Sequence, residues 1–179
     1  MKKLDYLSRA QLQVLHDLGT ERNAQRILRE MDPYLSSFRD GQNIYYLSKE
    51  GRDLVDCKKI RKKTPQARHY IMRNSLYIAY GCPSSWKNEM KIGVKGKVTV
   101  ICDALFTLEN RYHIVEVDHT QKMSKNRSKI DRYKKLIDLD VFQVKPMFIW
   151  ITTTDYRRKQ LLNLCKGLDV NVFTISDFY

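Results

Sequence analysis

The stretch VTVICDALFTLENRYHIVEVD, residues 98–118, decides the fold of the second part of the chain. Its first half alternates apolar and polar residues and is rich in valine and isoleucine, which predicts strand, turn and strand over residues 97–108. Glu109 and Asn110 then predict a turn, and RYHIVEVDH, residues 111–119, predicts a third strand. Strands with apolar faces need helices to cover them.

Helical patterns lie on both sides of these strands. Residues 66–81 predict a long, largely buried helix, and residues 82–96 predict a loop. The remaining predicted elements are a helix at 120–139, a strand at 145–153, a helix at 155–168 and a strand at 169–175. The resulting order, α-β-β-β-α-β-α-β over residues 67–179, predicts a mixed sheet covered by helices, within an α/β (α+β) fold.

The first 58 residues follow a different order. Ser8 and Thr20 are good N-caps for two short helices, and Asp40-Gly41 between β-prone runs predicts a hairpin. A short helix follows Ser48. Helix, turn, helix, hairpin, helix is the order of a winged helix-turn-helix, so residues 1–58 are interpreted as a DNA-binding domain whose second helix enters the major groove. Only MKKLDYL precedes Ser8, so the helix that usually comes first is missing or supplied from elsewhere.

The composition favours a nucleic-acid partner. The 179 residues include 33 lysines and arginines against 20 aspartates and glutamates, a formal net charge of +13. Both parts are basic, since residues 1–64 hold 14 basic and 9 acidic side chains and residues 65–179 hold 19 and 11. A basic surface favours a polyanion, and nucleic acid is the commonest one. Double-stranded DNA is therefore the predicted partner.

The outer face of the second predicted helix has the chemistry that reads base edges. Arginine pairs with guanine, and asparagine or glutamine pairs with adenine. The predicted base-reading residues are Arg22, Asn23, Gln25, Arg26 and Arg29. The alternative is that they form the solvated side of an amphipathic helix.

Two other basic runs are predicted to contact phosphates. One lies in and beside a linker at residues 59–66, which could instead extend the preceding helix as a solvated face. The other lies in the helix at 120–139. The residues concerned are Lys58, Lys59, Arg61, Lys62, Lys63, Lys125 and Arg127.

Several classes of protein are disfavoured. The sequence has no run of about 20 apolar residues that could span a membrane, and no apolar run follows the N-terminal basic pair as in a secretory signal. The four cysteines form no CxxC pair. They are interpreted as reduced thiols in a cytoplasmic protein, and their spacing fits no zinc site.

Three acidic residues lie in the central strands. Glu116 and Asp118 are two residues apart, so both side chains leave the same face of a strand, and Asp103 comes from the adjacent antiparallel region. Acids among apolar neighbours are costly to desolvate without compensation. Mg²⁺ or Mn²⁺ bound by Asp103 and Glu116 would provide it. The alternative is that the acids pair with arginine or lysine, or face water at a strand end.

Four blocks, residues 8–31, 34–55, 69–81 and 102–136, resemble the replication-relaxation family of Gram-positive plasmids and mobile elements. The resemblance covers roughly residues 4–140 and includes the order of the blocks. It implies a role in plasmid replication and DNA relaxation, and a winged helix joined to a restriction-endonuclease-like domain of the PD-(D/E)XK type.

The resemblance also implies roles for individual residues. Asp103 matches the first acid of the nuclease motif and Glu116 the second, whereas Asp118 stands where the motif has its catalytic lysine. In some members of this fold the basic residue comes from the following helix, where the candidates are Lys122, Lys125 and Lys129. Gln121 is placed to orient a phosphate or a water molecule.

Three functions compete at this point. The first is a DNA-binding protein of a plasmid or mobile element that acts in replication, DNA relaxation or its control. The second is a Mg²⁺-dependent DNA nuclease. The third is an adaptor that recruits replication or conjugation proteins through the apolar residues 145–153. A homodimer on paired half-sites is compatible with the first.

Overall fold

The computed structural model describes residues 1–178, which form two compact units divided between residues 78 and 79. Over these residues the chain has six α-helices, a three-stranded sheet in the first unit and a five-stranded mixed sheet in the second. The predicted α+β class is confirmed.

The first unit contains β1 (Leu7–Ser8), α1 (Arg9–Leu15), α2 (Glu21–Glu30), β2 (Leu35–Asp40), β3 (Gln42–Leu47), α3 (Lys49–Leu54) and α4 (Ala67–Ala79). The predicted N-caps are confirmed, because Ser8, Thr20 and Ser48 each accept a backbone N–H of the helix that follows. β2 and β3 form the predicted hairpin, which turns at Gly41 with φ of +70°. The two-residue β1, too short to predict, adds to β3 on its other side, giving the order β1-β3-β2.

Helix α4 belongs to the first unit up to the division between residues 78 and 79. The Gln11 side chain donates to the carbonyl of Ile71 at 2.8 Å, and the Asn74 side chain donates to the carbonyls of Leu4 at 2.8 Å and Tyr6 at 2.7 Å. The prediction that residues 59–66 separate the domains and that α4 opens the second one therefore differs from the structure. α4 therefore packs against the N-terminal residues of the first unit.

The second unit contains β4 (Lys87–Val94), β5 (Val98–Leu108), β6 (Arg111–Asp118), α5 (Met123–Asp138), β7 (Met147–Thr152), α6 (Asp155–Leu164) and β8 (Val170–Thr174), followed by a 3-10 turn at Ile175–Asp177. The sheet order is β4-β5-β6-β7-β8. β4, β5 and β6 run antiparallel, and β6, β7 and β8 run parallel with α5 and α6 as the connections.

From its first strand onward the predicted order, β-β-β-α-β-α-β, is that of the second unit, but two strand assignments are wrong. Residues 97–108 contain no turn, because β5 runs without interruption from Val98 to Leu108. The predicted loop at 82–96 contains strand β4, whose alternate residues are exposed and half-buried, as at the edge of a sheet. β4 and β5 approach closely at Gly93, where a Cβ would lie 2.3 Å from the Val98 carbonyl oxygen.

The core of the second unit lies between the sheet and the two crossover helices. Ile130, Tyr133 and Leu136 of α5 pack with Phe148 and Trp150 of β7, and all are at most 1% exposed. Residues 145–153 therefore contain a buried strand, as predicted, and the buried part of this stretch offers no exposed contact for the adaptor alternative. None of the helices within residues 1–178 is both long enough and apolar enough to cross a lipid bilayer.

Candidate nucleic-acid interface and buried acid cluster

Helix α2 buries Ala24 and Leu28 and turns its opposite side outward. That outer side, together with Thr20, borders an open hollow of about 500 Å³. All five predicted base-reading residues line it: Arg22, Asn23, Gln25, Arg26 and Arg29. We call these five side chains the α2 surface.

The side chains of the α2 surface differ in how far they are already engaged. Arg22 and Arg29 are exposed and have no hydrogen-bond or ion-pair partner within residues 1–178. Arg26 forms an ion pair with Glu30 on the next turn and donates to Asn23 Oδ1 at 3.1 Å. The Asn23 amide donates to the Leu18 carbonyl at 2.8 Å. Asn23 therefore stabilises the turn between α1 and α2. Arg22 and Arg29 are the cations of the α2 surface whose side chains are available to bind an anion.

The predicted basic linker is held against the first unit rather than free. Asp5, whose side chain is only 3% exposed, receives hydrogen bonds to Oδ1 from Arg61 Nε at 3.0 Å and Arg61 Nη2 at 2.7 Å. Lys59 Nζ lies 3.4 Å from Oδ1, and the buried Arg73 lies 3.3 Å from Oδ2. The Tyr6 hydroxyl donates to the Lys62 carbonyl at 2.7 Å.

These contacts change the role expected for the linker. Residues 58–64 form neither helix nor strand, so the alternative of an extended helix is wrong. Arg61 is committed to Asp5, whereas the side chains of Lys58, Lys62 and Lys63 are exposed. Nothing in the sequence pattern marks Asp5 as the residue that gathers these cations.

In the second unit, Asp103 lies where strands β5 and β6 separate. The two strands pair from Leu108↔Arg111 to Ala104↔Val115, and beyond that point β5 pairs with β4 and β6 pairs with β7. Asp103 Oδ2 accepts a hydrogen bond from the Val117 backbone N–H at 2.7 Å. The half-buried Asp103 therefore links β5 to β6 at the point where the two strands stop pairing, through the hydrogen bond that its Oδ2 accepts.

Glu116 is fully buried, with 0% exposure, on the side of β6 that faces α5. Its Oε2 forms an ion pair with Lys129 and its Oε1 accepts from the Tyr133 hydroxyl. Burial, reinforced by the negative charge of Asp103, raises the pKa of Glu116 well above its usual range, although Lys129 and Tyr133 act in the opposite direction. The same burial, with Glu116 nearby, raises the pKa of the Cys102 thiol to about 12.

Asp118 is equally buried but fully compensated. It accepts four hydrogen bonds: from Arg157 Nη2 at 2.6 Å, Arg157 Nε at 2.7 Å, Thr152 Oγ1 at 2.7 Å and Asn126 Nδ2 at 2.8 Å. Burial alone would raise the pKa of Asp118, but the hydrogen bonds from Arg157, Asn126 and Thr152 bring it below its usual range. Asp118 therefore ties the end of β6 to α5, β7 and α6.

The remaining predicted site residues lie around this cluster. Gln121 donates to the Val117 carbonyl at 3.3 Å, and its own carbonyl accepts from Arg157 at 2.7 Å. Lys122, Lys125 and Arg127 are exposed, without a side-chain partner in the part of the chain that the structure describes. Of the three lysines proposed to replace the motif lysine, Lys129 is the one that contacts an acid of the cluster.

Mg²⁺ or Mn²⁺ would meet carboxylates that already have hydrogen-bond partners. Carboxylate oxygens are the ligands these cations prefer, but both oxygens of Glu116 already contact donors and Asp118 is occupied by Arg157. Across residues 1–178, no three histidine, cysteine, aspartate or glutamate side chains form a group that could hold a metal ion. A metal bound by Asp103 and Glu116 would share the oxygens of Glu116 with Lys129 and Tyr133, since each of these oxygens accepts one hydrogen bond and has a second lone pair.

Sequence reasoning named Lys129 but missed the other partners of the buried acids. Asn126, Lys129 and Tyr133 are spaced by three and four residues, which places them on one face of α5. Helical spacing could therefore have predicted that they contact β6 as a group. Thr152 and Arg157 reach Asp118 from other elements, and no spacing rule would have found them.

Comparison with known proteins gives one family and several distant structural matches, which include the following two. No curated protein matches the sequence. Protein VC1899 from Vibrio cholerae is 11% identical with a TM-score of 0.42, and the match covers 84% of this chain and 39% of that one. Can2 from Sulfobacillus thermosulfidooxidans, solved with cyclic tetra-adenylate, is 14% identical with a TM-score of 0.40, over 86% of this chain and 41% of that one. The chain spans about two fifths of each matched structure.

The replication-relaxation family model matches residues 1–149, a range that includes the α2 surface and all three acids of the central strands. The chain belongs to the replication-relaxation family.

Proposed function

We propose that this protein binds duplex DNA and acts in the replication of a plasmid or mobile element, or in its control. The observation that supports the proposal is the α2 surface, where Arg22 and Arg29 project from a short helix without internal partners. An exposed helix with arginine and amide side chains suits the major groove, which it can enter and where each base pair offers a distinct pattern. In this proposal α2 reads the bases.

A second basic surface contributes affinity but not sequence choice. Lys122, Lys125 and Arg127 at the start of α5 are exposed and unpaired within residues 1–178. Cations of this kind neutralise phosphates and release counterions, so that affinity falls steeply with salt. We assign them to the DNA backbone, whatever the sequence.

We infer that the acid cluster has a structural role in the second unit, and that Asp118 is the acid that stabilises it. A motif lysine acts by stabilising charge that develops on the substrate, whereas Lys129 is already paired with Glu116. Arg157, Asn126 and Thr152 neutralise Asp118. On this account the second unit keeps a nuclease-like frame and uses its acids to hold α5 and α6 in place.

A Mg²⁺-dependent nuclease is the competing function, and the contact between Lys129 and Glu116 beside Asp103 is the observation that favours it. Supercoiled plasmid should be incubated with the wild type and with Glu116→Ala, in Mg²⁺, in Mn²⁺ and in EDTA. The proposal expects intact, retarded supercoils in every case. Nicked or linear product that requires metal and disappears in Glu116→Ala would establish the nuclease instead.

DNA binding itself is tested by fluorescence anisotropy with a labelled duplex over a range of salt concentrations. The slope of log affinity against log salt should be about −0.9 for each phosphate contact. Replacing Arg22 and Arg29 together by alanine should weaken binding at least about tenfold, since a base contact is worth about 1–3 kcal/mol. Lys49→Ala, at an exposed position outside the α2 surface, is the matched control. Equal affinity for all three proteins would refute the assignment of α2.

A further inference from the structure

A second hollow lies in the second unit at the amino ends of β7 and β8, and no function has been assigned to it. It has a volume of about 390 Å³, within the range of pockets that bind ligands or side chains. Its walls combine two kinds of residue. Lys134, Lys145 and Lys166 supply charge, and Ile137, Pro146 and Leu168 supply apolar surface. We call these six residues the lysine hollow.

The charge of the lysine hollow is positive. Lys145 and Lys166 are exposed and have no side-chain partner within residues 1–178. Lys134 donates to the Leu164 carbonyl at 3.4 Å, which does not neutralise it. Two aspartates also line the hollow, and one of them, Asp169, is neutralised by its ion pair with Arg111. Three lysines therefore face one uncompensated carboxylate, that of Asp138.

Apolar surface continues beyond the hollow. Leu139 and Val144, next in the chain to Asp138 and Lys145, are 40% and 48% exposed. Exposed apolar residues that adjoin a concave site and have a charged rim are typical of protein–protein contacts. Arg111 also donates to the Lys145 carbonyl at 2.8 Å, which holds the entry to β7 in place.

We propose that the lysine hollow binds an acidic segment of a partner protein, with an apolar side chain of that segment inserted between Ile137 and Leu168. Charge complementarity selects the acidic flanks, and the apolar walls select the inserted side chain. A DNA backbone suits the site less well, because a duplex cannot enter a hollow of this size and phosphates gain nothing from apolar walls. The proposal goes beyond DNA binding and does not depend on the α2 surface.

The test uses the full-length chain and a fluorescein-labelled peptide in which aspartates flank a pair of leucines. Anisotropy gives its affinity for the wild type, for Lys145→Glu with Lys166→Glu, and for Lys159→Glu. Lys159 is an exposed lysine of α6 outside the hollow, so it serves as the matched control. The double charge reversal should weaken binding at least about tenfold, which is 1.4 kcal/mol, and the control should change it less than about twofold.

Two altered peptides separate the contributions of charge and apolar surface. Replacing the leucines by serine, or the aspartates by asparagine, should each weaken binding to the wild type about tenfold. Thermal unfolding of each variant shows that the fold is intact. Binding that is equal for wild type and double variant, or weaker than about 1 mM for the wild type, overturns the proposal.

A parallel measurement of DNA binding distinguishes failure of peptide binding from failure of DNA binding. The double variant at Lys145 and Lys166 should keep its affinity for a labelled duplex, and Arg22→Ala should keep its affinity for the peptide. If the duplex displaces the peptide and the double variant loses affinity for the duplex, the hollow is a phosphate contact and the proposal is overturned.

Discussion

Replacing Asp118 by asparagine would remove the negative charge from a buried side chain that accepts four hydrogen bonds. Asparagine has nearly the same shape, so packing is kept. One of its two terminal atoms becomes a donor, which then faces one donor of Arg157 together with that of Asn126 or that of Thr152. The variant therefore isolates the contribution of the carboxylate to the second unit.

The expected cost follows from the geometry. Removing one partner of a fully buried ion pair costs about 3–5 kcal/mol. The Arg157 side chain is 24% exposed and still donates to the Gln121 carbonyl, so it recovers part of its solvation in the variant. We therefore expect a loss of about 2–4 kcal/mol, which corresponds to a fall in Tm of roughly 10–20 °C for a unit of this size.

Urea unfolding followed by far-UV circular dichroism measures this loss at several pH values. The pKa of Asp118 is lowered in the folded protein, so its stabilisation is fully present above the ordinary aspartate pKa of about 3.9 and is lost as the pH falls through the lowered value. The gap between wild type and variant should be constant near neutral pH and shrink below about pH 4. Asp131→Asn, at an exposed position of α5, should change stability by less than about 0.5 kcal/mol.

Two results would refute this reasoning. An Asp118→Asn variant within about 0.5 kcal/mol of the wild type at neutral pH would mean that desolvation cancels the ion pair with Arg157. A gap that stays the same at low pH would mean that hydrogen-bond geometry, and not charge, accounts for the loss.

Three further predictions concern other residues. Glu116→Gln should stabilise the protein relative to wild type as the pH rises above about 4.3, because the buried carboxyl of Glu116 favours its neutral form. The expected gain in the free energy of unfolding is about 1.4 kcal/mol for each unit by which the pKa of Glu116 is raised. Urea unfolding measures this gain, and a variant less stable than wild type at about pH 8 would mean that the Lys129 ion pair dominates. Gly51→Ala should destabilise the first unit by about 1–3 kcal/mol, since its Cβ would lie 2.0 Å from the Tyr34 carbonyl oxygen; an unchanged Tm would contradict this close approach. Glu30→Gln should raise the affinity for duplex DNA about two- to fivefold at low salt, because it frees Arg26 and removes a negative charge beside the α2 surface. Fluorescence anisotropy measures this change, and unchanged affinity would show that Arg26 does not contact the DNA.

The sequence alone predicts the local elements of this protein well. Helix caps act over three or four residues, so Ser8, Thr20 and Ser48 mark their helices correctly. The hairpin between β2 and β3 is marked by Asp40-Gly41 in the same way. β6 and β7 are buried on both faces over most of their length, and their apolar composition identifies them.

The features that the sequence does not predict depend on packing between residues far apart in the chain. β4 is an edge strand whose polar residues resemble a loop, and only its pairing with β5 shows what it is. α4 has an apolar pattern that fits either unit, and its hydrogen bonds to Leu4 and Tyr6 decide where it packs. The acids of the central strands could be recognised as unusual, but the arginine that neutralises Asp118 comes from α6, about 40 residues later in the chain.

The most direct test of the central claim is the ratio of affinities for selected and random duplexes. Binding sites would be selected from a randomised duplex pool with the wild-type protein. Affinities for the selected and random sequences would then be compared for wild type, Arg22→Ala and Lys49→Ala. The account predicts a wild-type ratio of at least about 10³, a ratio reduced about tenfold or more in Arg22→Ala, and a ratio unchanged in Lys49→Ala. A wild-type ratio near one would contradict the claim that α2 reads DNA.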